Sequence, residues 1–80
     1  MADEKIKSEI LAALDHPEAE DGLYFTNLTQ LYEEEERPQV NGADADIMEA
    51  LKELIQDGEV FTATGEAGLI FMRRRDEYLD

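Results

Sequence analysis

The stretch from Asp44 to Arg73 constrains the fold of this chain more than any other. Within Asp44 to Asp57, the residues Ile47, Ala50, Leu51, Leu54 and Ile55 recur at the three- and four-residue spacing that lines one face of a helix. Asp44 and Asp46 fall in the first turn, where negative charge favours the helix dipole. Gly58 follows as the natural left-handed stop. The pattern then changes period. Glu59 to Thr64, a turn around Gly65 to Gly68, and Leu69 to Arg73 read as a β-hairpin. Alternation puts Val60, Thr62, Ile70 and Met72 on one face, with Phe61 and Phe71 on the other.

Upstream, Ile6, Ile10, Ala13 and Leu14 make one apolar stripe on a helix from about Asp3 to Asp15, which His16 and Pro17 stop. Glu18 to Gly22 reads as a polar loop. Leu23, Tyr24 and Phe25 form a short extended piece. Thr26 or Asn27 then caps a second helix with Leu28, Leu31 and Tyr32 on its apolar face. Core packing accounts for at least two of Tyr24, Phe25 and Tyr32. The run Glu33 to Glu36 repels itself and frays this helix as a solvated segment, and Arg37 and Pro38 end it. Residues 37–43 form a loop with a turn at Asn41-Gly42.

Helix, short strand, helix, helix and hairpin is an order that resembles the winged-helix superfamily. The third helix and its Asp57-Gly58-Glu59-Val60 exit into a β-ribbon carry the likeness. The implied fold is α+β: a small winged helix-turn-helix of three helices and a C-terminal hairpin wing, one domain over residues 1–80. Within that superfamily, Leu23-Tyr24-Phe25-Thr26-Asn27-Leu28-Thr29-Gln30-Leu31-Tyr32 and Ala50-Leu51-Lys52-Glu53-Leu54-Ile55-Gln56-Asp57-Gly58-Glu59-Val60 are similar to the D protein of dissimilatory sulfite reductase, the DsrD family. That resemblance implies a non-catalytic accessory or regulatory protein that associates with the reductase.

Winged helices commonly bind DNA through the third helix, and here charge opposes that use. The face expected to meet DNA presents Asp44, Asp46, Glu49 and Glu53, with Lys52 as its cation. DNA binding depends on Lys and Arg displacing counterions from phosphates. Over the whole chain, 21 acidic residues against 7 basic ones give a formal charge of −14. Such a field disfavours nucleic acid and anionic membranes and favours basic partners. A high-salt habitat would produce the same acidity, and a nucleic-acid mimic would need the acids in one continuous band. An apolar fraction of 42% is enough for a chain of 80 residues to fold.

The absence of cysteine excludes disulfides, thiolate catalysis and cysteine-ligated metal. No run approaches the roughly 18 apolar residues of a membrane span, and the N-terminus lacks a signal-peptide apolar stretch. A cytoplasmic protein is expected. His16 is the only histidine, and Ser8 lies half a helix away, so no nucleophilic triad is indicated. Asp44, Asp46 and Glu49 lack the spacing of a calcium loop. No enzyme activity, cofactor or metal is expected.

The remaining candidates are protein-binding residues. Phe61 and Phe71 would form an exposed aromatic pair on the hairpin, or would pack against the first helix or against Tyr78 and Leu79. Glu49 and Glu53 would meet a basic surface. Arg73, Arg74 and Arg75 form the basic cluster. They could bind phosphate, a carboxylate partner or the edge of a nucleic acid, but on an extended strand alternate arginines point to opposite faces and would not make one patch, so offsetting the surrounding acid and shielding the strand end is the simpler role. The expected function is a protein-interaction module with a basic partner, a homodimer left open, and a DNA-binding regulator as the alternative.

Overall fold

The computed structural model describes residues 4–74. Helix α1 covers Glu4–Asp15 and is followed by a 3-10 turn at Pro17–Ala19. Strand β1 is Leu23–Tyr24, helix α2 is Phe25–Thr29 and helix α3 is Asp44–Gln56. Strands β2 (Val60–Gly65) and β3 (Gly68–Arg73) form the hairpin. The three strands make an antiparallel sheet in the order β1-β3-β2, with Leu23 opposite Phe71 and Tyr24 opposite Ile70. The result is a small α+β fold in which helices pack on one side of a three-stranded sheet.

The core follows from the two periodicities. Ile6, Ile10, Ala13 and Leu14 from α1 meet Ile47, Ala50, Leu51 and Leu54 from α3, and Leu23, Val60 and Phe71 close the cluster from the sheet. Leu28 and Val40 complete it from α2 and the long loop. The α1 and α3 stripes match the sequence expectation, except that Ile55 is 38% exposed. It sits at the margin of the apolar arc, beyond the reach of α1. Gly58 adopts φ +79° and lets the chain turn from α3 into β2.

Helix α2 differs from expectation at both ends. It begins earlier, with Tyr24 in extended conformation at the cap position, and the Tyr24 amide donates to Asn27 Oδ1 at 2.9 Å. Asn27 therefore caps from inside the first turn. The helix ends at Thr29, where Gln30 is extended, so Leu31 and Tyr32 do not extend its apolar face. Tyr32 is 58% exposed.

The segment read as a fraying, solvated run is tied down. Arg37, expected only to terminate a helix, is 4% exposed. Its guanidinium donates to Glu18 Oε1 at 3.2 Å, to Glu35 Oε2 at 2.6 Å and to the Asn27 carbonyl at 3.0 Å. Glu18 also accepts from the Glu36 and Arg37 amides. Further along, the Asn41 amide donates to Glu9 Oε1 at 2.8 Å and anchors the loop on α1.

The hairpin corrects the assignment of faces. Gly65 pairs with Gly68 across a two-residue turn of Glu66 and Ala67. Every later pair then joins an even-numbered residue to an odd-numbered one, as in Thr62 with Phe71 and Phe61 with Met72. Cross-strand partners share a face. Phe71 therefore lies with Val60 and Thr62 on the core side and is 5% exposed, whereas Phe61 is 45% exposed on the other face with Ala63, Ile70 and Met72. The expected exposed Phe61–Phe71 pair does not exist.

Candidate protein-binding surface

Among the described residues, five large apolar side chains are exposed: Tyr32, Met48, Ile55, Phe61 and Leu69. Three of them, Met48, Ile55 and Leu69, lie along the seam between α3 and the core-side face of the hairpin. Met48 and Ile55 are seven residues apart on α3, two helical turns along the same face. Leu69 comes from the core-side face of β3, whereas Phe61 stands on the outer face of β2 and borders the seam at the strand edge.

Two depressions mark this seam. The first, of about 480 Å³, lies between Met48 on α3, Tyr24 and Phe25 at the start of α2, and Ala67 and Leu69 of the hairpin, with Phe71 as its floor. The second, of about 510 Å³, is bounded by Ile55, Gly58, Val60, Phe61, Thr62 and Arg74. Thr62 of the second depression and Phe71 of the first are cross-strand partners. The hairpin tip is held over the first one, because the Ala67 amide donates to the Tyr24 hydroxyl at 3.2 Å.

Arg74 is the charged residue that lines the depressions, and the acids stand farther out. Asp44, Asp46 and Glu49 are exposed on α3, and Glu66 is exposed at the hairpin tip. Lys52 is the exposed cation of α3. Glu53, expected to join the acidic binding face, turns instead toward α1, where Lys7 Nζ lies 2.6 Å from Glu53 Oε1. The hydrogen bond and charge of Glu53, opposed by partial desolvation, raise the Lys7 pKa above its ordinary value. Glu53 is thus a structural partner of α1.

Arg73 is also structural. Its Nη1 lies 2.7 Å from Asp15 Oδ2, its Nη2 lies 3.7 Å from Glu59 Oε1, and its Nε is buried without a hydrogen-bond partner. It links the end of β3 to the end of α1. Arg75, with Tyr78 and Leu79, lies outside the described residues. Of the sequence candidates, Phe61 stands on the outer face of the hairpin and borders the seam at the β2 edge, Phe71 is buried under the first depression, and Glu49 is exposed on α3.

Sequence reasoning missed Met48, Ile55 and Leu69. Met48 directly follows the buried Ile47, so it falls off the core stripe while remaining apolar, which was a readable signal. Ile55 was assigned inward and Leu69 was read only as a strand residue. Among the described residues, no group of three or more His, Asp or Glu side chains converges as metal ligands would, and no helix is long and apolar enough to cross a membrane.

Comparison with known protein families, with characterised proteins and with solved structures returned no match.

Proposed function

We propose that this chain is a non-catalytic, winged-helix protein-interaction module that docks a basic partner protein through the seam between α3 and the hairpin. The order of elements and the position of β1 beside β3 support the winged-helix reading, with the hairpin as wing and α3 as the helix beside it. One observation carries the function. In a chain of charge −14, three of the five exposed large apolar side chains among the described residues, Met48, Ile55 and Leu69, gather on one seam, and a fourth, Phe61, borders it at the β2 edge. Apolar contacts there supply affinity, and the surrounding carboxylates attract and orient a cationic partner.

Capture from native extract with the wild-type chain, compared with a Met48→Ser/Leu69→Ser variant, tests the reading. The variant is expected to lose the captured partner, and Ala12→Ser on the exposed side of α1 is expected to keep it. Equal capture by all three would reject the seam. The sequence resemblance extends the proposal to an accessory protein of dissimilatory sulfite reductase, and a reductase subunit in the bound fraction is the outcome it requires.

The rival reading is a DNA-binding regulator. It rests on the same fold, but on α3 it has Lys52 against Asp44, Asp46 and Glu49. Nonspecific DNA binders commonly reach roughly 10⁻⁴ to 10⁻⁶ M at physiological salt. A gel-shift assay in that range is expected to show no complex, and a complex tighter than about micromolar would reverse the ranking.

A further inference from the structure

We propose that the open edge of β2 is a strand-addition site for an extended basic segment of the partner protein. This rests on the docking role proposed for the seam and gives the partner a definite form. The sheet order leaves β2 outermost, with β3 on one side and no strand among the described residues on the other. The register identifies the backbone groups that face outward. The Arg74 amide donates to the Glu59 carbonyl at 2.9 Å, one step beyond the Val60–Arg73 pair. Hydrogen-bonded and non-bonded pairs alternate in an antiparallel ladder. Glu59, Phe61, Ala63 and Gly65 therefore bond toward β3, and the N–H and C=O groups of Thr62 and Thr64 point away from it. Both threonines are exposed.

Proteins usually blunt such an edge with Lys, Pro, a bulge or a covering element. Strand β2 reads Val-Phe-Thr-Ala-Thr-Gly, with neither charge nor proline, and all six residues pair with β3 in unbroken register. A neutral, regularly paired edge of β-branched and aromatic residues is suited to pairing with another extended segment.

Charge selects the occupant. A second copy would bring −14 against −14, whereas a cationic segment is drawn by the net field and by Glu66 at the far end of the strand, with Arg73 beside Glu59 and Arg74 near its start setting where the segment's own cations can lie. Geometry sets its pattern. Residues paired with Thr62 and Thr64 would share the face turned toward α3 and extend the apolar seam near Ile55. The alternate residues would share the outer face with the exposed Phe61 ring, where Lys or Arg gains a cation–π contact.

The test uses the full chain and a synthetic peptide of roughly eight residues alternating Val with Lys, long enough to span the strand. Binding is followed by calorimetry and by backbone amide NMR. The Thr62 and Thr64 amide signals are expected to shift most. N-methylation of the peptide amides that face β2 is expected to weaken binding by about tenfold or more, whereas methylation of the other amides leaves it unchanged. A scrambled peptide of the same charge is expected to bind as weakly as the blocked one. Thr62→Pro removes an N–H that the β2–β3 ladder does not use and is expected to give a similar loss. Thr64→Lys, which leaves the backbone intact, serves if the proline variant does not fold.

Equal binding of native, methylated and scrambled peptides would overturn strand addition in favour of diffuse charge attraction. Dimerisation in sedimentation that Thr62→Pro abolishes would overturn it in favour of a second copy. Partner capture that is lost in Met48→Ser/Leu69→Ser but kept in Thr62→Pro and Thr64→Lys would overturn the edge site and leave the seam standing.

Discussion

Arg37 joins three segments that are distant in the chain: the 3-10 turn through Glu18, the end of α2 through the Asn27 carbonyl, and the acidic run through Glu35. Its side chain is buried, whereas both carboxylates keep contact with solvent. Removing the guanidinium leaves those carboxylates and a carbonyl to recover water partners. Arg37→Met keeps most of the stem volume and is expected to cost about 1–2 kcal/mol at neutral pH, measured by urea unfolding. The dependence on pH carries a signature. Glu35 titrates below 4.5, first because of the Arg37 guanidinium, and Glu18 titrates below 4.5, first because of the Glu36 amide. A lowered carboxylate stabilises the fold fully above its unfolded value and loses that contribution as pH falls through its folded value. The gap between wild type and Arg37→Met is therefore expected to be full at neutral pH and to shrink below pH 4.5. A residual acid-side loss should persist in the variant, because Glu18 keeps its principal donor. None of this was legible in the sequence. Arg37 follows four glutamates and precedes a proline, which reads as a helix stop, and its partner Glu18 lies outside any periodic pattern.

At the scale of elements, the hairpin tip and β1 are locked together by one close approach. A Cβ built on Gly65 would fall 2.6 Å from the Tyr24 hydroxyl, 3.1 Å from Ile70 Cγ2 and 3.2 Å from Tyr24 Cζ. Gly65→Ala is expected to destabilise the fold by about 1–3 kcal/mol, the usual range for overpacking. Tyr24→Phe removes the nearest clashing atom and also the acceptor of the Ala67 amide. The double variant is therefore expected to be less destabilised than the sum of the two single changes, with incomplete rescue because Ile70 still crowds the site. A double-mutant cycle by thermal melting measures this coupling, and strict additivity would count against the packing account. Here the sequence was informative to a definite depth. The helical stripes of α1 and α3, the Gly58 stop and the existence of the hairpin follow from local spacing and turn chemistry. The faces of the hairpin do not, because they depend on whether the turn holds an even or an odd number of residues. Glycines at 65 and 68 allowed either reading, and one step of register moved Phe71 from surface to core. The seam was hidden for the same reason, since it takes Met48 from one element and Leu69 from another.

For the whole molecule, net charge acts on folding and on binding with opposite signs. With a radius of gyration of 12.0 Å, the fold places its carboxylates close enough for mutual repulsion at low ionic strength. Screening lengths are roughly 10 Å at 0.1 M salt and 3 Å at 1 M. Raising sodium chloride over that range is expected to raise the melting midpoint by about 5 °C, close to 1 kcal/mol for a domain of this size. Docking of the proposed basic partner would draw on the same field as attraction, so its association rate and affinity are expected to fall over the same range. The two slopes separate accounts that the composition alone leaves together. Acidity that serves only a high-salt habitat gives the first slope without the second, because no cationic ligand is selected. A seam that binds by apolar burial alone gives a complex that strengthens with salt. Stability that rises while affinity for the basic peptide falls is the combination expected of this protein, measured by melting and titration in one buffer series. Flat or falling stability would show that close pairs such as Lys7–Glu53 and Arg73–Asp15, themselves weakened by screening, outweigh the repulsion among the carboxylates.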